Sequence, residues 1–191
     1  MRNLILATLL VLFSPLSLAS WQLDNDVSTF NFLSTKKNTA TEIHSFKSLN
    51  GFISQEGKAE ISIALASVET NIAIRNERMK SLLFNIPQFA KATASLSVGP
   101  GQLANIQVGK RVVIESTAIV NLHGLSKELP VSLVVSGLEN SALQVHTLKP
   151  ILLKAADFAL LDGIEKLRTM AKLNSIDTTV PVTFTLIFQK Q

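Results

Sequence analysis

The chain has 191 residues, 47% of them hydrophobic and 17% charged, a balance that fits a single folded domain and excludes disordered or collagen-like classes. It contains no cysteine, which removes disulfides, thiolate metal sites, Fe–S clusters and cysteine nucleophiles together. The formal net charge of +4 is mild, and the lysines and arginines are dispersed along the chain rather than clustered, which argues against a nucleic-acid-binding face.

The N-terminus supplies part of the mean hydropathy of +0.32. Arg2, the largely apolar ten-residue run Leu4 to Phe13, Pro15, and the small Ser17 and Ala19 follow the order of a secretory signal peptide, with cleavage expected after Ala19. A membrane anchor needs about 20 apolar residues, so this run is too short for one. Residues 1–19 are therefore expected to be removed. Residues 20–191 are expected to form one exported domain with no transmembrane segment, periplasmic in a bacterium with an outer membrane.

Strand-like segments begin at Ser28 to Ser34 and Ile43 to Ile53. Ile61, Ile63 and Leu65 then alternate with Glu60, Ser62 and Ala64, the period of a strand with one buried face. Asn71 to Phe84 reads as a helix instead, with Ile74, Arg78 and Leu82 at four-residue steps, Asn71 available as a cap, and a further turn at Pro87. Strands are predicted again at Ala92 to Val98, Leu103 to Val108 and Arg111 to Leu122, at the alternation of Val131, Leu133 and Val135, and at Ala142 to Lys154. A second helix is predicted over Gly163 to Leu173, with Asp162 as its N-cap and Ile164, Leu167, Met170 and Ala171 on one face. The chain ends on Thr178 to Phe188, where Val180, Val182, Phe184, Leu186 and Phe188 share one side. Turn signals at Gln55-Glu56-Gly57, Gly99-Pro100-Gly101, His123-Gly124 and Ser136-Gly137 separate these runs. The fold class is mainly β: an antiparallel sandwich or barrel of about eight strands with two short inserted helices.

No catalytic or metal-ligating set emerges. Gly124-Leu125-Ser126-Lys127-Glu128 lacks the second glycine of a nucleophile elbow, so Ser126 reads as a turn residue. His44, His123 and His146 share no ligand spacing, and the pairs Asp24/Asp26 and Asp157/Asp162 fall where aspartate caps strand ends and helix starts. Arg75, Glu77 and Arg78 are open to three readings: a solvated helix face, ion pairs that fix the helix, or contacts to a polar headgroup. Phe30, Phe32, Phe46, Phe84, Phe89 and Phe158 either fill a core or line a cavity, and the residues alone favour filling, as in most small barrels.

Trp21-x-Leu23-Asp24, Ser28-x-Phe30-x-Phe32 and His44-x-Phe46 followed by Gly51 resemble the opening of the YceI-like family of polyisoprenoid-binding proteins. The likeness continues through Ser67-Val68-Glu69-Thr70, Arg75-Asn76-Glu77-Arg78-Met79-Lys80-Ser81-x-Leu83-Phe84, Phe89, Leu122-x-Gly124 and Asp157-Phe158. Asn76, Leu83 and Ala90 stand where the family pattern commonly has Asp, Phe and Pro. The resemblance implies a lipocalin-like antiparallel β-barrel whose interior holds an isoprenoid lipid, of quinone or polyprenyl type, with no other cofactor required. It implies Phe30, Phe32, Phe46, Phe84 and Phe158 as apolar lining, and Arg75 and Arg78 as headgroup-contacting or helix-fixing residues. The expected activity is binding or carriage without turnover, and a homodimer is left open. The alternative is a closed-barrel structural or protein-interaction protein of the periplasm, related to stress and also without turnover.

Overall fold

The computed structural model describes residues 21–99, 102–103 and 106–191, so the expected signal peptide lies outside the described residues. The strands are β1 (Trp21–Lys36), β2 (Ala40–Phe46), β3 (Leu49–Ile53), β4 (Lys58–Ala64), β5 (Val68–Glu69), β6 (Lys91–Ser97), β7 (Arg111–Leu122), β8 (Leu125–Gly137), β9 (Leu143–Thr147), β10 (Ile151–Lys154) and β11 (Thr179–Lys190). Every ladder between them is antiparallel. The ring runs β1–β11–β9–β8–β7–β6–β4–β3 and back to β1, so the sheet closes on itself as an eight-strand barrel. The segments outnumber the ring positions because β2 and β3 lie along the same side of β1, and β9 and β10 along the same side of β11. Closure removes the free edges that an open sheet of this size would present.

The alternation seen in the sequence is what aims the side chains. On β11, Val182, Leu186 and Phe188 are buried, with Val180 and Phe184 on the same face, and on β8 the inward set is Val131, Leu133 and Val135. The first strand carries an irregularity that periodicity does not disclose: its register against β11 shifts between Asp24 and Thr29. Ser28 Oγ–H donates to the Asp24 carbonyl at 2.6 Å, and the same oxygen accepts the Ile187 N–H at 2.9 Å. Asn25 Oδ1 accepts the N–H of Leu49, the first residue of β3, at 2.7 Å. The bulge in β1 therefore faces the break between β2 and β3, and side chains replace the ladder bonds lost there.

Several expectations are corrected. The run Ile43 to Ile53 divides at Lys47-Ser48, and Ala142 to Lys154 divides at Leu148-Lys149-Pro150, where proline has no N–H for a ladder. Over 103–108 the described residues form a turn and a single bridge from Val108 to Gly137 rather than a strand. The first helix, α1, is only Ala73–Arg78 and passes into a π-helical turn at Met79–Leu83, marked by the Phe84 N–H reaching back to the Met79 carbonyl at 2.9 Å. Asn71 is not its cap: it sits at φ 60° ahead of the helix, and Ile72 occupies the N-cap position without a side-chain bond. The second helix, α2, is Leu161–Met170, so Asp162 lies in its first turn, where a carboxylate favours the helix dipole, instead of at the cap.

Both helical segments close the same end of the barrel. Gly163 of α2 rests against the π-helical turn so tightly that a Cβ there would stand 2.8 Å from the Leu82 carbonyl oxygen and from Leu83 Cα, so only glycine fits. Toward the opposite end Trp21, Leu23, Val98, Leu103 and Leu143 are buried, and the Trp21 indole N–H donates to the Ser141 carbonyl at 2.9 Å. No described helix is long and apolar enough to cross a membrane.

Candidate functional site

Inside the barrel lies a cavity of about 220 Å³, lined from end to end by inward-facing side chains. Among its described lining residues only Glu60, Thr93, Ser95 and Lys154 are polar. Its two walls differ. On β1, β2 and β11 the wall is aromatic, from Phe30, Phe32, Phe46, Phe184 and Phe188; on β4, β6 and β7 it includes Ala59, Ala92, Ala94 and Ala118. Where the inward group is only a methyl, the strand backbone itself meets the space, which is how Glu60, Thr93 and Ser95 come to border it. Large residues opposite large ones would have plugged this barrel; large opposite small leaves it hollow. Ile61, Leu96, Val120, Leu153 and Phe184 pack on the core yet stay only partly buried, with part of their surface bordering the cavity.

The five phenylalanines singled out as lining residues, Phe30, Phe32, Phe46, Phe84 and Phe158, all border this space. Phe30 stacks on Phe184 at 6.0 Å between centroids and meets Phe46 edge-on at 6.2 Å. Phe46 in turn contacts Phe32 at 5.3 Å and Phe84 at 5.9 Å, so one aromatic ladder runs from β11 across β1 and β2 to the π-helical turn. Phe158, 1% exposed, anchors the turn before α2. Phe89 is elsewhere: its ring lies 4.3 Å from that of His123 at the β7–β8 hairpin. A Cβ at Gly124 in that turn would come within 2.8 Å of Phe89, and its φ of +77° already demands glycine.

Arg75 and Asn76, at the start of the Arg75 to Phe84 motif, tie the first helix into the fold. Arg75 donates through Nη1 to Glu42 and through Nη2 to the Thr70 carbonyl, tying α1 to β2 and to the corner after β5. Asn76 Oδ1 accepts both the Thr70 N–H at 3.0 Å and its hydroxyl at 2.6 Å, while its amide donates to Glu69. Of the two arginines, Arg75 thus fixes the helix, whereas Arg78 makes no ion pair among the described residues.

One polar cluster was not legible in advance. Ser34 Oγ lies 2.8 Å from His44 Nε2, and Glu42, held at 2.7 Å by Lys36 and also by Arg75, comes within 4.0 Å of the same ring nitrogen. His44 is 4% exposed, its ring 5.2 Å from that of Phe32. Burial, with the Arg75 charge added, pushes the imidazole below its usual pKa and keeps it neutral. The Lys36 hydrogen bond, joined by Arg75 and opposed by burial, holds the Glu42 carboxyl below the usual carboxylate range. A serine–histidine contact of this length invites a catalytic reading, but the carboxylate approaches the nitrogen that already faces the serine, and buried Nδ1 has no partner among the described residues. The order serine–imidazole–carboxylate needed for an activated nucleophile is not assembled. Only the pairing of β1 with β2, Phe32 opposite His44 and Ser34 opposite Glu42, brings these residues together.

The other titratable candidates remain apart. His123 donates from Nδ1 to the Phe158 carbonyl at 3.2 Å, and His146 lies on β9 beside Gln144. Ser126 sits in β8 opposite Asn121, and Asp24 binds the N–H of Asp26 within the β1 bulge. Among the described residues no three His, Asp or Glu side chains gather as a metal site.

A hollow, apolar-lined, closed antiparallel barrel capped by two short helices defines a class, and the sequence comparisons agree with it. The pattern of the YceI-like domain matches residues 21–188, and the chain belongs to the YceI-like family. A solved polyisoprenoid-binding domain from Saccharophagus degradans, implicated in plant cell wall breakdown, is 38% identical, with a TM-score of 0.88 over 91% of this chain and 99% of that one. BcnA from Burkholderia cenocepacia, at 16% identity and TM-score 0.67 over 86% of this chain and 98% of its own, shares the fold. So does the YceI protein of Campylobacter jejuni, at 13% and 0.55 over 78% and 85%. No curated protein sequence matches this chain.

Proposed function

We propose that the protein encloses the hydrocarbon chain of an isoprenoid lipid, of quinone or polyprenyl type, inside its barrel, and that it carries or stores this lipid in the periplasm without chemical turnover. The observation that carries the reading is the cavity itself, a continuous apolar space bordered by the five phenylalanines and opposed by alanines. Such a space gains about 0.8 kcal/mol for every methylene it takes from water and needs no charged partner to do so. The likeness to a polyisoprenoid-binding domain at 38% identity supports the same ligand class. A plugged barrel acting only through its outer surface fits the cavity poorly, because empty apolar volume destabilises a fold that has no use for it.

Export rests on the order of Arg2, Leu4 to Phe13 and Ser17-Leu18-Ala19, and the mature chain then begins at Ser20. One preparation tests both parts: protein purified from its native compartment is sequenced from the N-terminus, extracted with organic solvent, and the extract examined by mass spectrometry. The expected outcome is a chain starting at Ser20 with a stoichiometric prenyl lipid. An intact N-terminus in the membrane fraction contradicts the export reading, and a lipid-free extract contradicts the ligand.

A further inference from the structure

Among the described residues the ladders around the wall are incomplete in more than one place: β6 and β7 pair only from Thr93 opposite Asn121 to Ser95 opposite Ile119, and another interruption lies beside β8. The β8–β9 ladder stops at Leu133 opposite Thr147. Beyond it, β10 pairs only with β11 among the described residues, and the facing stretch of β8, from Ser126 to Val131, pairs only with β7. The interruption is framed on all sides. Above it, the His123 ring donates to the Phe158 carbonyl at 3.2 Å; below it, the Leu148 N–H donates to the Ser132 carbonyl at 2.8 Å. Behind it lie Ile151 and Leu153, both bordering the cavity and both half-buried.

Lys127 fits an opening in this part of the wall. It stands opposite Val120 in the β7–β8 register, and Val120 borders the cavity, so Lys127 occupies an inward-facing place; yet it is exposed. Near the β7–β8 hairpin a lysine at an inward position keeps its charged head in water, and the unpaired edge of β8 beside it gives the side chain a way out. On the other side, Leu148 and Leu152 are 48% and 57% exposed, an apolar lip that a closed barrel would not require. Pro130 and Pro150 flank the opening and withhold N–H groups that could have zipped it shut.

We propose that the isoprenoid chain enters and leaves sideways, through this window between β8 and β10, rather than through either end of the barrel. The inference rests on the binding reading above, and the route is a separate statement from the ligand.

The absence of cysteine makes the test clean. Glu128→Cys and Leu152→Cys place two exposed thiols on opposite sides of the window, and a short cleavable thiol-to-thiol reagent joins them. Uptake of a hexaprenyl quinone from phosphatidylcholine vesicles is then followed for the unmodified chain, the two single variants carrying the reagent, the cross-linked double variant, and the same sample after cleavage. The expected result is uptake by every form except the cross-linked one, with recovery on cleavage; that recovery also shows that the variant is folded. Equal uptake before and after cleavage overturns the lateral route while leaving the binding reading intact. No uptake by the unmodified chain overturns the binding reading, and the route with it.

Discussion

His44 ties the barrel's pH response to one buried ring. Its folded pKa lies below the usual 6.5, with burial the largest cause and the Arg75 charge second, so as pH falls below 6.5 the unfolded chain binds a proton that the folded ring refuses. The associated stability is fully present above about 6.5 and is lost as pH falls through the folded value. Glu42 has the same sign in a lower window, from its usual 4.5 downward, because Lys36 and Arg75 favour its ionised form. Urea midpoints should therefore fall as pH drops below about 6.5, and His44→Gln should flatten the upper part of that decline. A variant with the unchanged profile would show that His44 is not the responsible group. Binding is sensitive to a different set of residues. A carboxylate placed in the cavity has no partner, so Phe32→Asp should abolish lipid binding in calorimetric titration, whereas Arg75→Ala should lower stability and leave affinity within a few-fold. A larger loss of affinity from Arg75→Ala than from Phe32→Asp would mean that headgroup contacts at the helix, not apolar burial, hold the ligand.

At the scale of elements, packing separates positions that the strand pattern treats alike. Phe158 is sealed in its turn and should cost about 3–5 kcal/mol on truncation to alanine. Phe184 lies on the inward face of β11 but is only partly buried, so Phe184→Ala removes fewer contacts and should cost about 2 kcal/mol. Thr183→Ala, on the outer face, should stay within about 0.5 kcal/mol. Denaturant unfolding of the three variants checks the order, and equal losses at 183 and 184 would contradict the face assignment. This is also where the sequence runs short. The β-like run Arg111 to Leu122 coincides with β7, and alternation set the inward face of β11 correctly. It passed over the breaks at Lys47-Ser48 and Leu148 to Pro150, because the apolar period continues across them while the hydrogen bonding does not. The π-helical turn escaped for a related reason: one extra residue in a helical turn barely disturbs the spacing of Ile74, Arg78 and Leu82.

For the whole molecule, the decisive property is that the barrel is hollow, and no single residue announces it. Inward phenylalanines are equally the material of a plugged core. The cavity exists because β1, β2 and β11 bring their rings opposite Ala59, Ala92, Ala94 and Ala118, a juxtaposition that depends on the order of strands around the ring. The polar cluster of Ser34, Glu42 and His44 was hidden in the same way by the β1–β2 register. The motif from Arg75 to Phe84 carried the family, yet its Arg75 and Asn76 secure the helix and its Met79, Leu83 and Phe84 face the cavity. Titration of lipid-stripped protein with prenyl quinones of increasing length, followed by calorimetry, tests the enclosed-chain reading most directly. Each added isoprene unit should raise affinity until the barrel is full, after which affinity should level off. Affinity that is independent of prenyl length would place the ligand outside the cavity and contradict the reading.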